Sequence, residues 1–362
     1  MSNVDIGRRV RESLGDRKHY EVAGAVGMST DSFSRALSGS RAFSSAELAL
    51  LAETLQVPTY WLITGTDEPV TVVAAARHEY DRETGRRSLP GLTADLDVLN
   101  HIELAYRQAY GKSLVDLRET PDGTSSPADV LSVLGDGFVR DFIERIEEQL
   151  AIDVVRIAEI KHSYSLRIGH RTTIVVPASG NWFYENWCLA HELGHIYRGD
   201  LSSADGVADE AAANQFAAEI LLPRDDIAGR DWDRPLSEVA ERLWSWGVST
   251  QALINRLDAL HVDAPVSLRK ALGLTTQAFL RRHWNQAVDE TSLDLITGRM
   301  EQAAQRRFPR DLEQMHLERI ARGAIGRGTL AWMLDVDAES LEVEAPVPTA
   351  LRQADLSAAL SG

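Results

Sequence analysis

A chain of 362 residues, 44% hydrophobic and 25% charged, has material for two or three domains with substantial cores and is not a disordered protein. Its single cysteine, Cys188, excludes an intramolecular disulfide framework, and no apolar run approaches the about 18 residues needed to span a bilayer. A net charge of −16 excludes generic polyanion binding, because phosphate would repel the molecule as a whole. Met1-Ser2-Asn3-Val4-Asp5 lacks a basic-then-apolar signal pattern, so the cytoplasm is the expected location, with no membrane contact.

Residues 1–65 read as five helices. Ile6, Val10 and Leu14 mark an amphipathic helix; Val22-Ala23, Val26-Gly27 and Met28 then fit a helix and a tight turn. Ala23 lets two helices cross closely, and Gly27 supplies a left-handed turn residue. Ser29 caps a helix over Thr30 to Leu37, with Phe33 and Leu37 inward and Gly39 as its stop. Its outward residues, Thr30, Asp31, Ser32, Ser34 and Arg35, have the size and chemistry to contact base edges and phosphates in a major groove. Two more helices, Ser45 to Leu55 and Pro58 to Ile63, precede Gly65. The block resembles the XRE/Cro-type helix-turn-helix domain, with Ala23, Gly27, Phe33 and Trp61-Leu62 in the expected places, which implies double-stranded DNA as a partner. Seven Lys or Arg face seven Asp or Glu here, so binding is expected to be weak or to need a homodimer. The alternative is a helical module for protein contacts.

Residues 66–128 read as a connector punctuated by Pro69, Pro90-Gly91 and Pro121 to Pro127, with one helix from Asp95 to Tyr110. A helix from Ala128 to Leu150 opens the next domain, 129–260. Three short strands follow, Ile152 to Ile160, Ser163 to Ile168 and Arg171 to Val176, turning at Gly169-His170. An edge strand there could pair with an extended substrate.

The last strand leads into Leu189-Ala190-His191-Glu192-Leu193-Gly194-His195, the most informative stretch of the chain. Residues four apart on a helix lie about 40° apart around its axis, so His191 and His195 leave one face and can grip one zinc ion. Glu192 lies on the adjoining flank, placed to take a proton from a water at an open metal position. Cys188, three residues before His191, is expected as a small buried hydrophobe. A second helix from about Asp205 could return antiparallel and aim Glu210 at the ion, with Asp209 as rival. The one-turn spacing from Glu210 to Asn214 favours Glu210, since Asn214 could then hydrogen-bond the outer nitrogen of a ligating histidine.

His191-Glu192-Leu193-Gly194-His195 with Glu210, Asn214, Phe216-Ala217 and Leu221-Leu222-Pro223 resembles the ImmA/IrrE family of zinc metallo-endopeptidases, over roughly Val154 to Leu260. The resemblance implies a small gluzincin-like core, Zn2+ on His191, His195 and Glu210, and Glu192 as base. It also implies a substrate, since several members cut a helix-turn-helix repressor. Two positions depart from the family: Ala212 stands where a second Glu is frequent, and Leu222 where Met commonly precedes the proline.

Between Asp200 and Glu241 eleven acidic residues face three arginines, so a basic substrate would be drawn there. Tyr184, Tyr197, His162, His170 and Arg198 are the nearby candidates for an oxyanion donor, and spacing does not choose among them. Leu236 to Trp246 and Thr250 to Leu260 form a helix pair across Gly247-Val248-Ser249. Residues 261–334 read as a helical C-terminal domain in which eleven Lys or Arg against seven acids between Pro265 and Met333 mark a solvated face, and 335–362 as an acidic tail. The expected fold class is α+β, predominantly α: a five-helix helix-turn-helix domain, a gluzincin-like core with a small sheet, and a helical C-terminal region. The expected function is a zinc endopeptidase fused to a DNA-binding domain that cleaves a repressor or other regulator. The alternative is a transcription regulator or antitoxin whose peptidase-like domain senses or binds without proteolysis.

Overall fold

In the computed structural model, residues 3–15, 17–55, 57, 59–65, 72–76, 79–80, 87–88, 92–111, 114, 125–199, 206–285 and 294–343 are described. The chain divides into two units, Met1–Thr71 and Val72–Gly362.

The first unit consists of α1 (Asn3–Ser13), α2 (His19–Ala25), α3 (Thr30–Leu37), α4 (Ser45–Leu55) and α5 (Thr59–Thr64). Capping fixes the start of α3: Ser29 Oγ accepts from the Ser32 amide at 3.2 Å. Gly27 takes φ +73° in the turn that separates α2 from α3. Val10, Leu14, Val22, Phe33, Leu37, Leu51 and Leu62 fill the core. The tightest approach falls at Gly7, where a Cβ would lie 2.3 Å from the Leu37 carbonyl oxygen, so only glycine lets α1 lie this close to α3. Arg9 is buried, donating to the carbonyls of Leu62 (2.8 Å) and Ile63 (2.6 Å), where a cation satisfies the open C-terminus of α5.

The second unit is built on a mixed sheet of order β1-β5-β6-β4, from β1 (Val72–Ala76), β4 (Asp153–Ile157), β5 (Tyr164–Ile168) and β6 (Arg171–Pro177). A separate two-residue ladder joins β2 (Glu79–Tyr80) to β3 (Arg87–Ser88). β4 and β6 are parallel, while β5 runs antiparallel to β6 on one side and to β1 on the other. The strand that leads into the histidine helix is therefore interior, not the edge strand expected from the sequence, and the edges are β1 and β4. β1 lies within 66–128, where a connector with one helix was expected; that helix is α6 (Leu92–Tyr110), whose Asp95 accepts from Tyr164 on β5 at 2.7 Å, while the strand was not expected.

The single helix expected over Ala128 to Leu150 is broken. α7 (Pro127–Leu134) and α8 (Phe142–Leu150) are separated by Gly135 and Gly137 at φ +76° and +65° and by a 3-10 turn. α9 (Trp182–Arg198) and α10 (Gly206–Leu221) follow the sheet, and then α11 (Arg224–Ala228), α12 (Leu236–Trp246), α13 (Thr250–Ala259), α14 (Val266–Leu272), α15 (Thr276–His283) and α16 (Leu295–Ala303). Leu268, Leu272, Phe279, Leu280 and Ile296 share one core with Leu189, Leu193 and Ile174, so 261–334 is not a domain apart. α17 (Arg310–Ala321) and α18 (Gly328–Leu334) close the described chain, and the buried His316 donates to the Ala105 carbonyl of α6 at 2.9 Å.

Arg281, Arg282, Arg310, Arg322 and Arg327 are exposed, as a solvated face requires, but Arg299, Arg306 and Arg307 are half-buried and make structural contacts. Arg307 pairs its main chain with Arg156 in both directions at 2.9 Å, beside β4, and its guanidinium donates to Glu147 and, at 3.0 Å, to the Val154 carbonyl. Arg156 grips Glu185 through two bonds inside the protein, and Arg299 lies over Trp182 and Trp244. Among the described residues no helix is long and apolar enough to cross a membrane.

Candidate metal centre

α9 carries His191 and His195 on one face because they are one turn apart, and its C-terminus is fixed by Gly199 in the left-handed conformation. α10 packs tightly across it. A Cβ on Gly194 would lie 2.9 Å from the Cα of Ala213, so the small pair Gly194 and Ala213 is what brings the two helices together. That approach delivers Glu210 to the histidines.

His191 Nε2 and His195 Nε2 lie 3.1 Å apart; Glu210 Oε2 is 3.4 Å from the first and Glu210 Oε1 3.7 Å from the second. Bonds of about 2.0–2.1 Å at tetrahedral angles put donor atoms about 3.3 Å apart, so this spacing is that of ligands around one small divalent ion. His191, His195 and Glu210 are the described group of three that could hold a metal. Burial raises the Glu210 pKa, yet hydrogen bonds and charge from the two imidazoles outweigh it and hold the carboxyl well below its usual range. Asn214 Oδ1 lies 3.2 Å from His191 Nδ1. An amide oxygen only accepts, so Nδ1 carries a proton, and Nε2, turned toward Glu210 and His195, offers its lone pair to a ligand once it gives up its own proton. The side chain of Asp209, the rival to Glu210, lies outside the described residues.

Glu192 is buried beside the histidines without joining them, and it is held from the sheet. Ser163 Oγ donates to Glu192 Oε1 and Ser165 Oγ to Glu192 Oε2, each at 2.6 Å. Sequence reasoning missed both serines. Their signal was the Ser-Tyr-Ser alternation, which sends Ser163 and Ser165 to one face and Tyr164 to the other, toward Asp95. Each carboxylate oxygen offers a second lone-pair direction, so the clamp aims the group without blocking it.

The five candidate oxyanion donors are dispersed. Tyr197 is buried and stacked on Phe216, with its hydroxyl pushed up to about 12 by burial. His170 is exposed in the turn at the end of β5 remote from Ser163, Arg198 ends α9 at the surface, and Tyr184 lines a cavity with Trp187 and Thr276. His162 alone adjoins Ser163, half-buried, with Nδ1 3.9 Å from Asp95. Cys188 is buried in the core. Thr30, Asp31, Ser34 and Arg35 are exposed on α3, Ser32 is half-buried, and Arg35 pairs with Asp31 at 3.0 Å.

Two histidines and a glutamate converge on one point and could hold a metal ion, with the carboxylate of Glu192 clamped alongside. Residues 147–258 match the peptidase M78 family model, described as the IrrE N-terminal-like domain, within the ImmA/IrrE family of metallopeptidases. No curated protein and no solved structure matches the chain.

The α9–α10 crossing gives a direct test. Gly194→Ala is expected to cost about 1–3 kcal/mol, because the neighbour it meets is backbone rather than a movable side chain. It should also weaken metal binding about 10–100-fold by displacing Glu210. Thermal melting with a metal titration checks both, and wild-type affinity in this variant would show that the crossing does not set the site.

Proposed function

We propose that the chain is a zinc-dependent endopeptidase joined to a DNA-binding unit, cleaving a repressor or other regulator in the cytoplasm to control transcription. The observation that carries this reading is the placement of Glu192 beside the His191, His195 and Glu210 set without being part of it. A structural zinc normally takes four protein ligands and has no need of such a carboxylate.

His191, His195 and Glu210 would hold the ion, and Asn214 fixes the imidazole of His191 in the tautomer that offers Nε2. An ion bound there would supply Lewis-acid polarisation of a peptide carbonyl and acidify a bound water. Glu192 accepts the proton of the attacking water and returns it to the leaving amine nitrogen. Ser163 and Ser165 keep its carboxylate aimed through that exchange. Zinc-dependent cleavage of a partner protein, lost in Glu192→Gln, is the test. Regulation unchanged by that substitution would favour the sensor or interaction platform instead.

The DNA reading is supported by α3, which turns Phe33, Ala36 and Leu37 inward and leaves Thr30, Asp31, Ser34 and Arg35 exposed. Arg35 is held by Asp31, so engaging a phosphate or base requires it to exchange a weak surface ion pair. Arg35→Ala is expected to weaken a duplex half-site by about 1–3 kcal/mol. Footprinting that finds no protected site, or protection insensitive to this change, would count against the assignment.

A further inference from the structure

The two edges of the sheet are closed in different ways. Beside β4, Arg307 bonds to Arg156 main chain to main chain and anchors on Glu147 and the Val154 carbonyl. At the other side, β5 is paired with β1, in antiparallel register from Val72↔Ile168 to Ala76↔Tyr164, with no further strand beyond β1 among the described residues. β1 reads Val72-Val73-Ala74-Ala75-Ala76, and alanine is a poor strand former whose small side chain specifies register weakly. β1 also begins at the first residue of the second unit. The edge it covers belongs to the strand next to Ser163, which with Ser165 holds Glu192. A peptide laid antiparallel on β5 would therefore reach Glu192 where Ala76 now faces Tyr164.

We propose that the outer edge of β5 is a docking edge for an extended peptide segment, and that β1 is the chain's own displaceable occupant of it. This rests on the peptidase reading and adds to it a restraint: a substrate that pairs with β5 through main-chain hydrogen bonds must displace β1 before it reaches Glu192. A tethered occupant competes at millimolar effective concentration, so the resting chain is held back until a segment with stronger strand propensity displaces β1.

The experiment uses the full chain carrying Glu192→Gln, so that nothing is cut, and a fluorescein-labelled peptide of residues 70–78. In one version β1 is intact; in the other Ala74→Pro and Ala75→Pro remove its pairing. The proline version is expected to bind the peptide saturably and about 10–100-fold more tightly than the intact one. Equal affinity in both, or binding to neither, overturns the proposal. Hydrogen exchange on the unmodified chain gives an answer even if the proline version does not fold. The β5 amides directed at β1 should exchange at least about tenfold faster than those directed at β6, and equal protection of the two sets overturns the proposal. If the peptide binds as expected but the chain with Glu192 intact shows no zinc-dependent cleavage of a partner protein, the peptidase reading alone falls and β1 remains the occupant of a docking edge.

Discussion

Glu192→Gln is expected to reduce cleavage by about 10³-fold or more while leaving zinc content and thermal midpoint close to those of the unmodified chain. The substitution keeps the size of a side chain that is buried among close neighbours, so no cavity is created. The clamp should also survive. Ser163 and Ser165 now donate to the two carboxylate oxygens, and in the variant one hydroxyl still donates to the amide oxygen while the other rotates to accept from the amide nitrogen. What is removed is the group proposed to take and return a proton. A fall in rate with zinc and stability unchanged would assign Glu192 to proton transfer; an unchanged rate would remove it from the chemistry. Cells carrying the variant that regulate their target genes normally, while deletion of 1–65 abolishes regulation, would select the non-proteolytic alternative.

The parts of this fold legible from sequence are those set by local chemistry. Ser29 before Thr30, Gly247 after Trp246 and Ser249 before Thr250 set the ends of α3, α12 and α13, because caps act within a turn of the residue that supplies them. The candidate metal cluster was legible for the same reason: one-turn spacing places His191 with His195, and Glu210 with Asn214, before anything is known of tertiary structure. Non-local pairings were not. Ser163 and Ser165 reach Glu192 across 29 and 27 residues, and Arg307 reaches Glu147 across 160, distances over which no periodicity speaks. β1 escaped notice because a short run of valine and alanine between turn residues becomes a strand only when a free sheet edge recruits it. Gly194 carried a readable hint, since a glycine inside a helix costs about 1 kcal/mol and implies a compensating close contact; the contact itself, Ala213, lay on a helix placed by the fold.

The ligand assignment is tested most sharply by what zinc does to stability. His191, His195 and Glu210 are drawn from two helices joined across residues 199–205, so an ion bound to all three ties α9 to α10 in the folded chain and has no equivalent site in the unfolded one. Zinc held at about 1,000 times its dissociation constant is then expected to stabilise the chain by about 4 kcal/mol, raising the melting temperature of the second unit by about 10 °C. His191→Ala and Glu210→Ala should each abolish that rise and leave well under one zinc per chain. Asn214→Ala, which removes only the partner of His191 Nδ1, should weaken binding about 10–100-fold and keep part of it. Asp209 is the decisive control. Adjacent helical positions lie about 100° apart around the axis, so one ion is expected to take one of the two carboxylates rather than both. Asp209→Ala should therefore bind zinc like the unmodified chain, and if it is instead Asp209→Ala that loses the metal while Glu210→Ala retains a full equivalent, the third ligand has been placed one residue too late.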